Sequence, residues 1–101
     1  MNQYEERLHA LRTRIDEIDS ELVPLLAERM AISERVAGIK GEANLPVLDE
    51  IRETQVIERA ATLAGEAFGG DVSELMRAVL TLSRKRQQKV LNRDKQGDFQ
   101  P

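Results

Sequence analysis

From Leu8 the apolar residues recur at Leu11, Ile15, Ile18, Leu22 and Leu25, and again at Ile32, Val36 and Ile39. Steps alternating between three and four mark the seam of a long helix that faces other helices. The one beat between Leu25 and Ile32 falls on Arg29. A guanidinium in such a seam must find an anion or forfeit hydration worth several kcal/mol, roughly. No acidic residue shares the seam, so another segment or a ligand must supply the anion. The same rhythm predicts a first helix from about Gln3 to about Gly41, ~60 Å long. A compact chain of this length has a radius of gyration of only ~13 Å. The seam therefore needs a partner of matching length, and a second copy of the chain is the simplest one. Pro24 lies inside this helix, where a proline costs about 3 kcal/mol. Because the apolar phase passes through it unchanged, the pattern predicts one helix kinked at Pro24 rather than two broken near Val23.

Residues 41–48 read as a loop, with Asn44 and Pro46 as breakers. Asp49 is placed to cap a second helix, about Glu50 to Ala64. Its apolar face comprises Ile51, Val56, Ile57, Ala60, Leu63 and Ala64, and Gly65 stops it. Gly69-Gly70 predicts a turn, followed by a capping box from Asp71 to Glu74. A third helix runs from there to about Asn92. Its stripe holds Val72, Leu75, Met76, Val79, Leu80, Ser83, Gln87, Val90 and Leu91. The fold class expected is all-α, with three helices in residues 1–93 and a frayed, flexible tail over 94–101.

Composition narrows the chemistry. The chain has 101 residues, enough for one small domain. Aromatic residues make up only 3%, so Leu, Ile, Val and Ala must build the core. A net charge of −3 argues against nucleic acid as a partner, so any anion site is a local cluster opposing the overall sign. Cysteine is absent, which removes disulfides and thiol chemistry. The polar, acidic start does not resemble a signal peptide. No apolar run is long enough to cross a membrane, and a soluble cytoplasmic protein is expected.

Several polar residues interrupt the apolar stripes. Arg29 and Lys40 are eleven positions apart and share a helix face at ~16 Å. Arg12 lies ~25 Å from Arg29 and about 100° round the helix, so the two cannot grip one small ligand within a chain. In an antiparallel or crossed dimer, Arg12 of one chain would reach the site of the other. Ser83 and Gln87, four apart on the third helix, can donate together to one bound oxygen. The start of the second helix, at Asp49-Glu50-Ile51-Arg52-Glu53, favours an anion. Each feature also has a plainer explanation. Arg12 can be a solvated surface residue, and Arg29 can pair with Glu53 or another carboxylate. Ser83 and Gln87 can bond to backbone, and Asp49 can simply cap. His9 is read as a surface histidine. No metal-ligand spacing, phosphate loop or nucleophile–base pair is present. Taken together, the residues describe a cationic, donor-rich pocket suited to a small dicarboxylate bearing a hydroxyl. The pocket offers no general base, which points to binding or to a reaction driven by positioning and electrostatics.

Leu11-Arg12, Ile15-Asp16-Glu17-Ile18-Asp19, Leu25-Leu26-Ala27-Glu28-Arg29 and Val36-Ala37-Gly38-Ile39-Lys40 form one series of motifs. Pro46-Val47-Leu48-Asp49, Arg52-Glu53, and Ser83 followed by Gln87 continue it. In these motifs and their spacing, over about Leu8 to Leu91, the chain resembles the all-helical chorismate mutases. The resemblance implies an intertwined homodimer of three-helix chains. Two sites would convert chorismate to prephenate without a cofactor or metal. It further implies that Arg12 from the opposite subunit and Arg29 clamp the two substrate carboxylates, helped by Ser83 and the helix start at Asp49. Glu53 would accept the ring hydroxyl, with Arg52 orienting that corner. Lys40 and Gln87 would donate to the ether oxygen. Two other readings stay open: a mutase or pyruvate lyase acting on 4-amino-4-deoxychorismate or isochorismate, and a non-enzymatic helical dimerisation module. Pro24 and the tail after Asn92 lie outside the pattern.

Overall fold

The computed structural model describes residues 2–98, with side chains as far as Asp94. Among the described residues it contains three helices and no strand: α1 (Gln3–Ala43), α2 (Glu50–Ala64) and α3 (Gly69–Asp98). Asn2 opens α1. Its Oδ1 accepts from the Glu5 amide at 2.8 Å and its Nδ2 donates to Glu5 Oε1 at 3.3 Å. This reciprocal cap uses side chains at the two positions of a capping box. Pro24 lies inside α1, so the helix is single, as the unbroken apolar phase predicts.

α1 ends in a tight motif. Asn44 adopts a left-handed φ of 55°, and the Leu45 amide donates to the Lys40 carbonyl at 2.8 Å. This six-to-one bond satisfies one of the carbonyls that a helix end leaves unpaired. α2 has the bounds expected from the sequence. Asp49 caps it, its Oδ1 accepting from the Arg52 amide at 3.0 Å. At the other end Gly65 takes a φ of 86°, open to glycine without strain.

The start and end of α3 correct the sequence-based expectation. The helix begins at Gly69, not after it, and its first turn bond joins the Val72 amide to Phe68 O at 2.9 Å. Asp71 is therefore a first-turn residue rather than a cap, and the turn falls on residues 66–68. Gly69 serves close packing: a Cβ there would lie 3.2 Å from the Ala61 carbonyl oxygen of α2. At the far end α3 continues to Asp98, six residues beyond the expected stop. Backbone bonding carries the helix on through a polar stretch with no apolar stripe. Residues 99–101 of the expected tail lie outside the described residues.

The chain divides into two units, Met1–Ala31 and Ile32–Pro101. In the first, no described residue is buried, and Leu8, Leu11, Ile15, Ile18, Leu22 and Leu25 are all exposed, Leu11 at 66%. Arg29, expected to be buried, is half-buried. In the second, α2 packs against α3, and the core centres on Ala37, Val79 and Leu80. Ile32, Val36 and Ile39 of the seam stay exposed there. Ile51, Leu63 and Leu75, assigned to inward faces by periodicity, are exposed as well.

Candidate functional site

The polar residues of the second unit meet around Lys40. This residue lies in the last turn of α1, where its carbonyl takes part in the helix-ending motif. Its side chain is half-buried. Lys40 Nζ donates to the Val47 carbonyl at 2.6 Å and to Gln87 Oε1 at 2.9 Å. Gln87, on α3, is 8% exposed. Its Nε2 donates to Ser33 Oγ at 3.0 Å. Ser33 lies two turns before Lys40 on α1 and is 7% exposed. The site thus joins α1 and α3 through side chains and the α1–α2 loop through the Val47 backbone carbonyl.

A count of donors shows what this arrangement can do. An ammonium has three N–H groups and a primary amide has two. Val47 and Gln87 take two from Lys40, and Ser33 takes one from Gln87. Among the described residues, one N–H remains on each. Because the two groups are themselves hydrogen-bonded, the remaining donors lie close enough to address a single oxygen. The site carries one cation and no carboxylate among these partners, so it favours an oxygen that bears or gains negative charge.

Ser83, one turn before Gln87 on α3, is 5% exposed. Glu53, considered in the sequence as a partner for Arg29, forms an ion pair with Arg84. Arg84 Nη2 also donates to Thr81 Oγ1 at 3.4 Å. A second ion pair joins Glu34 and Arg86. Asp49 spends a carboxylate oxygen on its cap, leaving backbone amides of the first α2 turn as the anion-favouring element. Arg52 is exposed, as is Arg12 in the first unit. A groove lined by Arg86, Lys89, Asn92 and Arg93 shares no residue with the Lys40–Gln87 network. Among the described residues no cluster of three His, Cys, Asp or Glu side chains is arranged to hold a metal. No helix among them is long and apolar enough to cross a membrane.

The sequence singled out Lys40, Gln87 and Ser83 but not Ser33, Val47 or Arg84. Val47 acts through its backbone, which no side-chain pattern discloses. Ser33 did leave a signal: Ser33, Ala37 and Lys40 are spaced as one helical stripe beside the main seam, with small residues at a close approach.

Among the described residues the chain is all-helical, and its polar centre is a lysine and a glutamine on two different helices. The family model for chorismate mutase type II matches residues 11–88. A bifunctional chorismate mutase/prephenate dehydratase of Aquifex aeolicus is 42% identical over 65 residues, 64% of this chain and 18% of that protein. A chorismate mutase of Methanocaldococcus jannaschii is 38% identical over 61 residues, 60% of this chain and 62% of that one. A 3-dehydroquinate dehydratase of Pyrobaculum aerophilum is 40% identical over 53 residues, 52% of this chain and 18% of that protein. The matched regions thus span under a fifth of two of these relatives and about three fifths of the other. The chain belongs to the chorismate mutase type II family.

Proposed function

We propose that this chain converts chorismate to prephenate by an intramolecular pericyclic rearrangement, with no covalent intermediate and no cofactor. The observation that carries this reading is the 2.9 Å contact between Lys40 Nζ and Gln87 Oε1, with one donor left on each group. In the reaction a C–O bond breaks while a C–C bond forms within one molecule. The ether oxygen gains negative charge as its bond lengthens. Donors aimed at that oxygen bind the transition state more tightly than the substrate. The substrate must also be held folded, with its enolpyruvyl arm over the ring. Binding both carboxylates offsets the cost of that scarce conformer.

In this reading Arg29 and Arg12 hold the carboxylates, with Ser83 and the amides at Asp49 assisting. Glu53 accepts from the ring hydroxyl, with Arg52 beside it. Arg12 comes from a second copy. Two features support a homodimer: the exposed apolar seam of Met1–Ala31 and the lack of buried residues among those described there. In proteins most helical stability comes from packing an amphipathic face rather than from propensity, and apolar faces of this kind mark interfaces. A bend at Pro24, which gives up one backbone bond, would let α1 follow its partner. Residues 1–93 form the working domain, and 94–101 take no part in the chemistry.

The test is the loss of chorismate ultraviolet absorbance on adding the protein, with 4-amino-4-deoxychorismate and isochorismate run in parallel. Chorismate is expected to be consumed fastest. Lys40→Ala should lower kcat by about 10²–10³-fold, the cost of losing one transition-state donor. Turnover of a relative in place of chorismate would reassign the substrate. Turnover of none would leave a binding module.

A further inference from the structure

Ser33 was not singled out by the sequence and touches none of the reacting atoms in the mechanism above. Its hydroxyl nevertheless accepts from Gln87 Nε2 at 3.0 Å, and both residues are buried. The amide of Gln87 is planar, with an acceptor on one side and a donor on the other. Lys40 can only donate, so it must face Oε1. A hydroxyl can accept or donate, and here it takes the opposite edge as an acceptor. Contacts at both edges leave the amide plane one orientation. Without the Ser33 oxygen, Nε2 would hold two N–H groups in a buried setting with one anchor lost. An unsatisfied buried donor is costly, so the side chain would rotate to find another acceptor or admit water. Either change moves the remaining N–H away from the position shared with Lys40.

We infer that Ser33 is a positioning residue for the reaction: it fixes the Gln87 amide so that Gln87 and Lys40 present one donor each to the same oxygen. This inference rests on the mutase reading. Its effect belongs in kcat, because the oxygen it serves gains charge only as the bond breaks, whereas the carboxylates that set KM are held elsewhere.

The experiment is a double-mutant cycle on the full chain, reading kcat and KM on chorismate and the thermal midpoint for each variant. Ser33→Ala should lower kcat about three- to ten-fold, as loss of one hydrogen bond to an orienting group does, with KM within two-fold or so. In a Gln87→Ala background the same change should lower kcat no further, because the group it orients is gone. Ser33→Thr keeps the hydroxyl and should recover most of the loss. Should threonine overpack the site, its lowered thermal midpoint will reveal it, and the cycle with alanine decides alone. An active wild type with unaltered kcat in Ser33→Ala, or an equal further loss in the Gln87→Ala background, overturns this role while sparing the mutase reading. A wild type inactive on chorismate overturns both.

Discussion

The two units of the chain are built to opposite rules. In Met1–Ala31 the apolar residues form an orderly seam, yet none of the described ones is buried. In the second unit, by contrast, three of the side chains buried most deeply are the polar Ser33, Ser83 and Gln87. One stretch thus offers apolar surface without a core, and the other encloses polar groups without a large apolar core around them. The difference teaches that neither stretch is explained by the stability of a lone chain. In the proposed homodimer the first is half of an interface. The second makes sense as a pre-arranged set of donors, held at some cost to stability because buried polar groups need partners.

The comparison breaks most sharply if charge is placed in the first seam. Ile18→Glu combined with Leu22→Glu should prevent association and cost several kcal/mol, roughly, since buried carboxylates are poorly tolerated. Sedimentation should then show monomers, and circular dichroism a loss of helix. A chain that stays dimeric and fully helical would show that this seam is not the interface. The next test joins the two regions. Arg12→Ala and Lys40→Ala should each be nearly inactive alone. Refolded together in equal amounts they should regain about a quarter of wild-type activity, because half of random dimers are mixed and each keeps one intact site. No recovery despite proven subunit exchange would confine each site to one chain.

Smaller effects sharpen the picture of the second unit. Asp49→Ala removes the α2 cap and should lower stability by about 1 kcal/mol in denaturant unfolding. Smallest of all is the pH response. Gln87 donates through an amide, which carries the same protons at every ordinary pH. The rate should therefore stay flat through the neutral range while the chain remains folded, in a pH profile of kcat measured beside circular dichroism. A steep loss over that range would mean that a titrating group, not this amide, limits the chemistry.

Much of this was legible in the residues. Strict three-and-four spacing gave α1 through Pro24, and Asp49 with Gly65 gave both ends of α2, since each boundary has a local chemical cause. Gln87 stands out because it is polar where the stripe is apolar, and Lys40 because it shares a helix face with Arg29. The start of α3 departs from expectation because Gly69 resembles a turn residue in one dimension. Its reason for being glycine is the Ala61 backbone across the interface with α2, which only the fold brings near. Arg84 escapes the sequence on similar grounds: an arginine amid charged neighbours looks like surface until a second helix covers it, whereas Ser33 is legible only through its stripe with Ala37 and Lys40. The exposure of Ile51, Leu63 and Leu75 shows the same limit from the other side. Periodicity reports which residues share a face, not what lies opposite.

The bond from Lys40 to the Val47 carbonyl gives the α1–α2 connection a task beyond joining helices. One residue fastens the segment twice, by its own carbonyl to the Leu45 amide and by its ammonium to Val47. Shortening, lengthening or stiffening this connector would therefore register first as a misplaced positive charge, and only afterwards as lost rigidity.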